Sequence, residues 1–196
     1  MTFDKDNLIK SILESIDRMD YIKPEDIPGI DLYMDQLTTF MERKLNSTRR
    51  YPSDKIMTKT MVNNYAKNDL LPPPVRKKYG HDHIMMLIFI YYFKNFLSIN
   101  DIKKLLGPLA NNYFNKKDGL TLADIYNEMF EKNLSRADEL KKFIEEQADA
   151  ALETCKGADE KDKDFLHLFA FICSLSFDAY VKKLMIEKLI DLLPDR

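Results

Sequence analysis

Five glycines, two cysteines and no long apolar run are all that 196 residues offer in those categories, and each shortage excludes something. Few glycines, eight prolines and 32% charged residues favour helix and argue against low-complexity disorder. Cys155 and Cys173 are too few for a secreted disulfide framework and lie in no paired Cys or His motif, so reduced, buried thiols are expected. The longest apolar run, Ile84 to Phe93, is about half the length that spans a bilayer and reads as a buried helix. The opening "MTFDKDNLIKSIL" is acidic and amphipathic, without the apolar core of a signal peptide. A cytoplasmic protein with no membrane contact is the expectation.

Catalytic signatures are missing too. There is no phosphate-binding glycine loop, nucleophile elbow, kinase motif or zinc-hydrolase motif. His81 and His83 flank Asp82 without the further ligands that a metal site requires; capping a helix N-terminus is the plainer role. His167 sits on an apolar helix and reads as a core residue. No enzyme activity, metal or cofactor is expected, and no small-molecule effector is identified.

What the chain does contain is a segregated charge. The formal net charge is −2, yet residues 41–80 hold ten cations (Arg43, Lys44, Arg49, Arg50, Lys55, Lys59, Lys67, Arg76, Lys77, Lys78) against Glu42, Asp54 and Asp69. That local +7 leaves −9 for the remainder. A cationic patch on an acidic body concentrates phosphate affinity in one place.

Helical spacing of Leu8, Ile9, Ile12, Leu13, Ile16 and Met19 predicts a helix over 5–20. "KPEDIPGID" ends it. A second helix, from about Leu32 to Leu45, buries Leu32, Leu37, Phe40 and Met41. The basic loop "NSTRRYPSD" follows, then Thr58 as N-cap of a helix from Lys59 to about Asn68. At 100° per residue, Lys59, Thr60, Asn63, Asn64 and Lys67 fall within one arc of about 140°, with Met61, Val62 and Tyr65 opposite. One face packs; the other carries amides, a hydroxyl and cations, and no acid. Asn suits adenine in the major groove and Lys suits guanine or phosphate.

"DLLPPPVRKKY" then stops the helix, because each residue before a proline is pushed towards extended geometry. Leu70 and Leu71 anchor the turn. Arg76, Lys77 and Lys78 project on a segment closed by Tyr79, where phosphate contacts would fix register without reading sequence. "HIMMLIFIYYFKNFL" predicts a fully buried helix. Ser98 and Asp101 form a capping box ahead of "INDIKKLL", which Gly107 and Pro108 should stop.

This order resembles the winged helix-turn-helix of MerR-type transcription regulators over roughly residues 30–106. There a tyrosine-bearing recognition helix leads into a Gly-Leu-Leu-x-Pro turn, a basic wing ending in tyrosine, a helix, and a short segment with Ser, Ile and paired Leu. Tyr65, Leu70, Leu71, Pro72, Tyr79, Ser98, Ile102, Leu105 and Leu106 follow that order. Asp69 stands at the turn glycine, Asn63 and Asn64 replace the usual Arg and aromatic, the wing is shorter, and a long basic loop separates the first two helices. "LYMDQLTTFM", "TKTMVNNYAKNDLLPPP" and "KKY" together are closer to a bacterial family catalogued as a domain of unknown function that is similar to divergent MerR-type proteins.

The resemblance implies double-stranded DNA as partner and transcription regulation as role. Lys59, Thr60, Asn63, Asn64 and Lys67 would read bases, while Arg49, Arg50, Arg76, Lys77, Lys78 and Tyr79 would hold phosphates. In the acidic C-terminal half, Thr121–Asp124 and Ser135–Asp138 fit capping boxes for helices near 122–132 and 136–155. The apolar residues Phe165, Leu166, Leu168, Phe169, Phe171, Ile172 and Leu175 cover more than one face of a last helix. That body would pack within one monomer, form a homodimer spanning two half-sites, or both.

The expected architecture is all-α, with a short wing hairpin allowed: an N-terminal helix (1–28), a MerR-like DNA-binding domain (29–107) and a helical dimerisation or sensing domain (108–196). A helical protein–protein adaptor, its basic patch on an acidic partner, is the alternative; an unfamiliar helical enzyme is a second.

Overall fold

A computed structural model describes residues 5–17 and 21–194. It is mostly helical, with one small antiparallel strand pair. The elements run α1 (Lys5–Asp17), β1 (Leu32–Tyr33), α2 (Met34–Lys44), α3 (Lys59–Lys67), β2 (Lys78–Tyr79), α4 (His81–Phe93), α5 (Ile99–Tyr113), α6 (Leu122–Leu134), α7 (Ala137–Leu152) and α8 (Glu160–Asp191). Met19 and the expected last turn of the first helix lie outside the described residues.

Contacts divide the chain into two units, residues 22–129 with 187–196 and residues 1–21 with 130–186. The division departs from the expected boundaries. α5 and the start of α6 fall with the basic region, and the N-terminal helix falls with α7 and most of α8. Local packing explains both. Tyr126 of α6 is fully buried, donates its hydroxyl to the Ile22 carbonyl at 2.7 Å and meets Phe89 edge-on. Ile9 of α1 joins Ala148, Ala151 and Phe171 in a separate small core.

The larger unit is organised around α4. Nine consecutive residues, His83 to Tyr91, are buried, so no face of the helix meets water and the helix needs neighbours all round. Leu37, Phe40 and Met41 of α2, Val62 and Tyr65 of α3, Leu70, Leu71, Ile102 and Leu106 are buried in the same unit. The basic loop between α2 and α3 is tied down rather than loose. Leu45, Ile56 and Met57 are buried, the Ile56 amide donates to Glu42 and its carbonyl accepts from Lys94 Nζ at 2.9 Å, and the Thr48 and Tyr91 hydroxyls bond to each other.

Local capping follows the sequence in three places and departs from it in two. Thr58 accepts from the Met61 amide, and the boxes at Ser98–Asp101 and Thr121–Asp124 close in both directions. Ser135 instead donates to the Lys132 carbonyl, and α7 begins at Ala137 without a side-chain cap. The helix starts one residue later than expected, with Arg136 at the cap position, so Ser135 no longer stands where its hydroxyl could accept from the first turn. α5 also runs through Gly107 and Pro108 to Tyr113. Proline costs one intrahelical bond, but Leu109 and Tyr113 continue the inward spacing of Ile102 and Leu106 and are partly buried.

The cysteines are a further correction: both are free and exposed. Cys173 lies on the outward side of α8, the one helix among the described residues long and apolar enough to cross a membrane by length and composition.

Candidate nucleic-acid interface

α3 is short because its ends are both specified. Thr58 caps the start. At the other end Asp69 takes φ 57, its amide donates to Ala66 and the Leu70 amide donates to Tyr65 at 2.9 Å. This is the paired-bond helix stop that ordinarily uses glycine. Asp69 occupies the left-handed position where the resemblance expects glycine, and aspartate tolerates it better than most side chains. Its carboxylate also meets Lys103 at 2.9 Å.

The arc drawn from the sequence is the arc in the structure. Lys59, Thr60, Asn63, Asn64 and Lys67 are exposed, while Val62 and Tyr65 are buried against the unit's core. Burial pushes the Tyr65 phenol up from its ordinary value, in keeping with a structural role. One of the two cations on this arc is engaged, since Lys59 pairs with Asp35 in the first turn of α2.

The wing is a minimal hairpin. Val75 and Lys78 exchange both backbone hydrogen bonds, at 3.0 and 3.1 Å, and β2 pairs on its other side with β1, Leu32 opposite Tyr79 and Tyr33 opposite Lys78. Arg76 and Lys77 form the two-residue tip, with φ of 50 and 63. Positive φ at both central positions is the type I′ arrangement that normally selects Asn-Gly. Two long cationic side chains there are strained by about 1 kcal/mol each, and strain of this kind collects at functional sites. Both are exposed, and neither makes an ion pair among the described residues.

The base of the wing, α2 and α3 meet at their starts. Tyr33 precedes α2, its amide donating to Gln36 at 2.9 Å. The Lys78 ammonium lies 4.9 Å from the centre of the Tyr33 ring. Two residues on, Asp35 holds Lys59 at the start of α3. These partners are 24 and 45 residues apart in sequence, and nothing in the local pattern pairs them.

Two expected phosphate holders are otherwise engaged. Tyr79 is 4% exposed, with its ring edge-on to His83. It is wing-base core, because the strand alternation that turns Lys78 outward turns Tyr79 in. Arg49 is half-buried and bound to Glu42 of α2, a pair that ties the loop back to the helix before it. Arg50 is exposed, stacked 5.1 Å over its neighbour Tyr51. Arg43 and Lys55 are exposed cations of the same unit that the sequence reading did not assign.

His83 ties the wing to α4. Its Nδ1 accepts from the Gly80 amide at 3.0 Å, which leaves the proton on Nε2, 3.4 Å from the Pro73 carbonyl. Phe114 closes over the ring. His81 reaches the Pro24 carbonyl at 2.8 Å, and Asp82 accepts from the Asn115 amide at 2.6 Å. All three residues of the motif thus serve local structure. Among the described residues no three His, Cys, Asp or Glu groups converge as metal ligands would.

Burial holds the His83 imidazole below its ordinary pKa of 6.5, only partly offset by the Pro73 bond and by Asp82 and Asp31. A depressed folded-state pKa means that the unfolded chain binds the proton more readily. The neutral ring's contribution is therefore complete above about pH 6.5 and declines as pH falls towards the folded value. Protonating Nδ1 also abolishes the acceptor for Gly80. Thermal melts from pH 7.5 to 5 should show a fall in stability that His83→Asn, whose amide oxygen can still accept from Gly80, flattens. Equal pH dependence in the two proteins would remove His83 as the source.

Beside α2 lies an open groove lined by Pro28, Leu32, Asp35, Gln36, Thr39, Phe40 and Arg43, wide to solvent and mixed in polarity. Residues 22–129 match the family model described as a domain of unknown function, DUF1836. No curated protein and no solved structure matches the chain.

Proposed function

From the premise that this chain belongs to the DUF1836 family, we propose that it binds double-stranded DNA sequence-specifically and regulates transcription, on the plan of a divergent MerR-like winged helix-turn-helix. α3 lies in the major groove, with Asn63 and Asn64 on base edges and Lys59, Thr60 and Lys67 beside them. Arg76, Lys77, Lys78 and Arg50 hold the flanking backbone. The observation that carries the reading is the join between α3 and the wing. An acid-free exposed helix face begins where the wing is anchored, and the wing tip keeps two cations in a backbone state that favours neither. Recognition helices present their N-terminal residues to bases, and the Asp35–Lys59 and Tyr33–Lys78 contacts put that end of α3 beside the wing base.

Selection from a random duplex library, with the full chain near physiological salt, tests this. An enriched motif is expected. A folded protein that enriches nothing beyond its starting pool defeats the sequence-reading proposal and favours the alternative, a helical adaptor that sets its basic patch on an acidic partner.

A further inference from the structure

Residues 45–58 separate α2 from α3, a connection several times longer than the roughly three or four residues that join the helices of such a motif. We propose that this loop is a second clasp on DNA, holding through Arg50 and Lys55 the strand across the major groove from the wing, an inference that rests on the DNA reading and adds which strand each cationic projection meets.

Ordering so long a connection costs backbone entropy, and the structure offsets it with anchors at both ends. Leu45, Ile56 and Met57 are buried. Thr48 bonds to the Tyr91 hydroxyl, and the Ile56 carbonyl accepts from Lys94 Nζ at 2.9 Å. Between the anchors the tip is exposed at Arg50, Tyr51, Pro52, Ser53 and Lys55. A turn fixes its shape: the Asp54 amide donates to the Tyr51 carbonyl at 3.0 Å, and the Asp54 carboxylate accepts from the Tyr51 amide at 2.9 Å. The acid of the tip is thereby committed to its own backbone, as Glu42 is committed to Arg49 and the Ile56 amide. Arg50 lies 5.1 Å over the Tyr51 ring, which holds extended a planar fork that suits phosphate oxygens. Lys55 is exposed and makes no ion pair among the described residues.

α4 sets the distance between loop and wing. The wing is tied to its start, where His83 meets the Gly80 amide and the Pro73 carbonyl. The loop is tied to its end, at Tyr91 and Lys94. From His83 to Tyr91 is about 12 Å of helix, buried throughout, so the spacing is rigid. The major groove is about 12 Å wide, and its two rims belong to opposite strands. Projections held this far apart suit one rim each. The loop leads through Thr58 directly into α3, whose polar arc would fill the groove between them. An acidic protein partner would require no such spacing.

Hydroxyl-radical footprinting of the full chain on its selected duplex should show two protected stretches per bound chain, one on each strand. Arg50→Ala/Lys55→Ala should erase one stretch, weaken binding about tenfold for every sequence alike and lower the salt slope by about two. Melting should be unchanged, since both side chains are exposed. Arg76→Asn/Lys77→Gly should erase the stretch on the opposite strand and spare the first. Tyr51→Phe, which keeps the ring under Arg50, should preserve the loop's stretch, whereas Tyr51→Ala should weaken it. Two intact stretches and an unchanged slope in Arg50→Ala/Lys55→Ala overturn the clasp and leave the DNA reading standing. Loss of the same stretch from the loop and wing variants does so too. A parent chain that binds polyglutamate but no duplex overturns both.

Discussion

Asn63→Ala should erase base preference at one or two positions of the selected site while leaving the protein at least as stable as before. Asn63 is exposed, and its side chain makes no hydrogen bond among the described residues, so its removal breaks nothing in the fold. Alanine is also the better helix former, by about half a kcal/mol. A bidentate amide-to-adenine contact is worth about 1–3 kcal/mol of discrimination, which is roughly 5- to 150-fold between the best and next-best base pair. Lys77→Ala provides the contrast. Lys77 holds phosphate in this reading, so its loss weakens every sequence alike and lowers the salt-dependence slope by about one. Competition binding against single-base variants of the selected site reads both. Unchanged preference in the Asn63→Ala protein removes that residue from the reading face.

The second large effect lies at the wing, where stability and binding should move in opposite directions. Replacing the tip by Arg76→Asn with Lys77→Gly installs the pair that the two-residue turn prefers. Relief of two left-handed backbones should stabilise the unit by about 1 kcal/mol or somewhat more, raising its melting temperature by about 2–4 °C. DNA affinity should fall about tenfold near physiological salt, with a slope lower by about two, because two phosphate contacts are gone. A merely structural tip would give the gain in stability without the loss of binding. Titration at three salt concentrations beside a thermal melt distinguishes the outcomes, and undiminished affinity with an unchanged slope would take the wing out of the interface.

Much of the site was legible because it is local. The Thr58 cap, the polar arc of α3 and its buried opposite face follow from a period of 3.6 residues, and all lie within ten positions. The buried helix α4 was equally plain, since a run of apolar residues nine or more long has no face to give to water. The stop at Asp69 was readable only as a departure from an expected glycine. Backbone geometry explains it, as the left-handed residue of a paired-bond helix stop.

The sequence by itself determined which helices form, where most of them are capped, and that cations gather in residues 41–80. Each depends on neighbours within a turn or two of chain. Which of those cations are available was decided by tertiary structure, because pairing joins residues far apart. Glu42 takes Arg49, Asp35 takes Lys59, and strand alternation buries Tyr79 beside an outward Lys78. The same holds at the other end. Composition made α8 apolar on several faces, but only the packing of α1 and α7 on one side settles which apolar face is left in water. Periodicity can find a stripe; choosing between two stripes on one helix requires the neighbours that cover one of them.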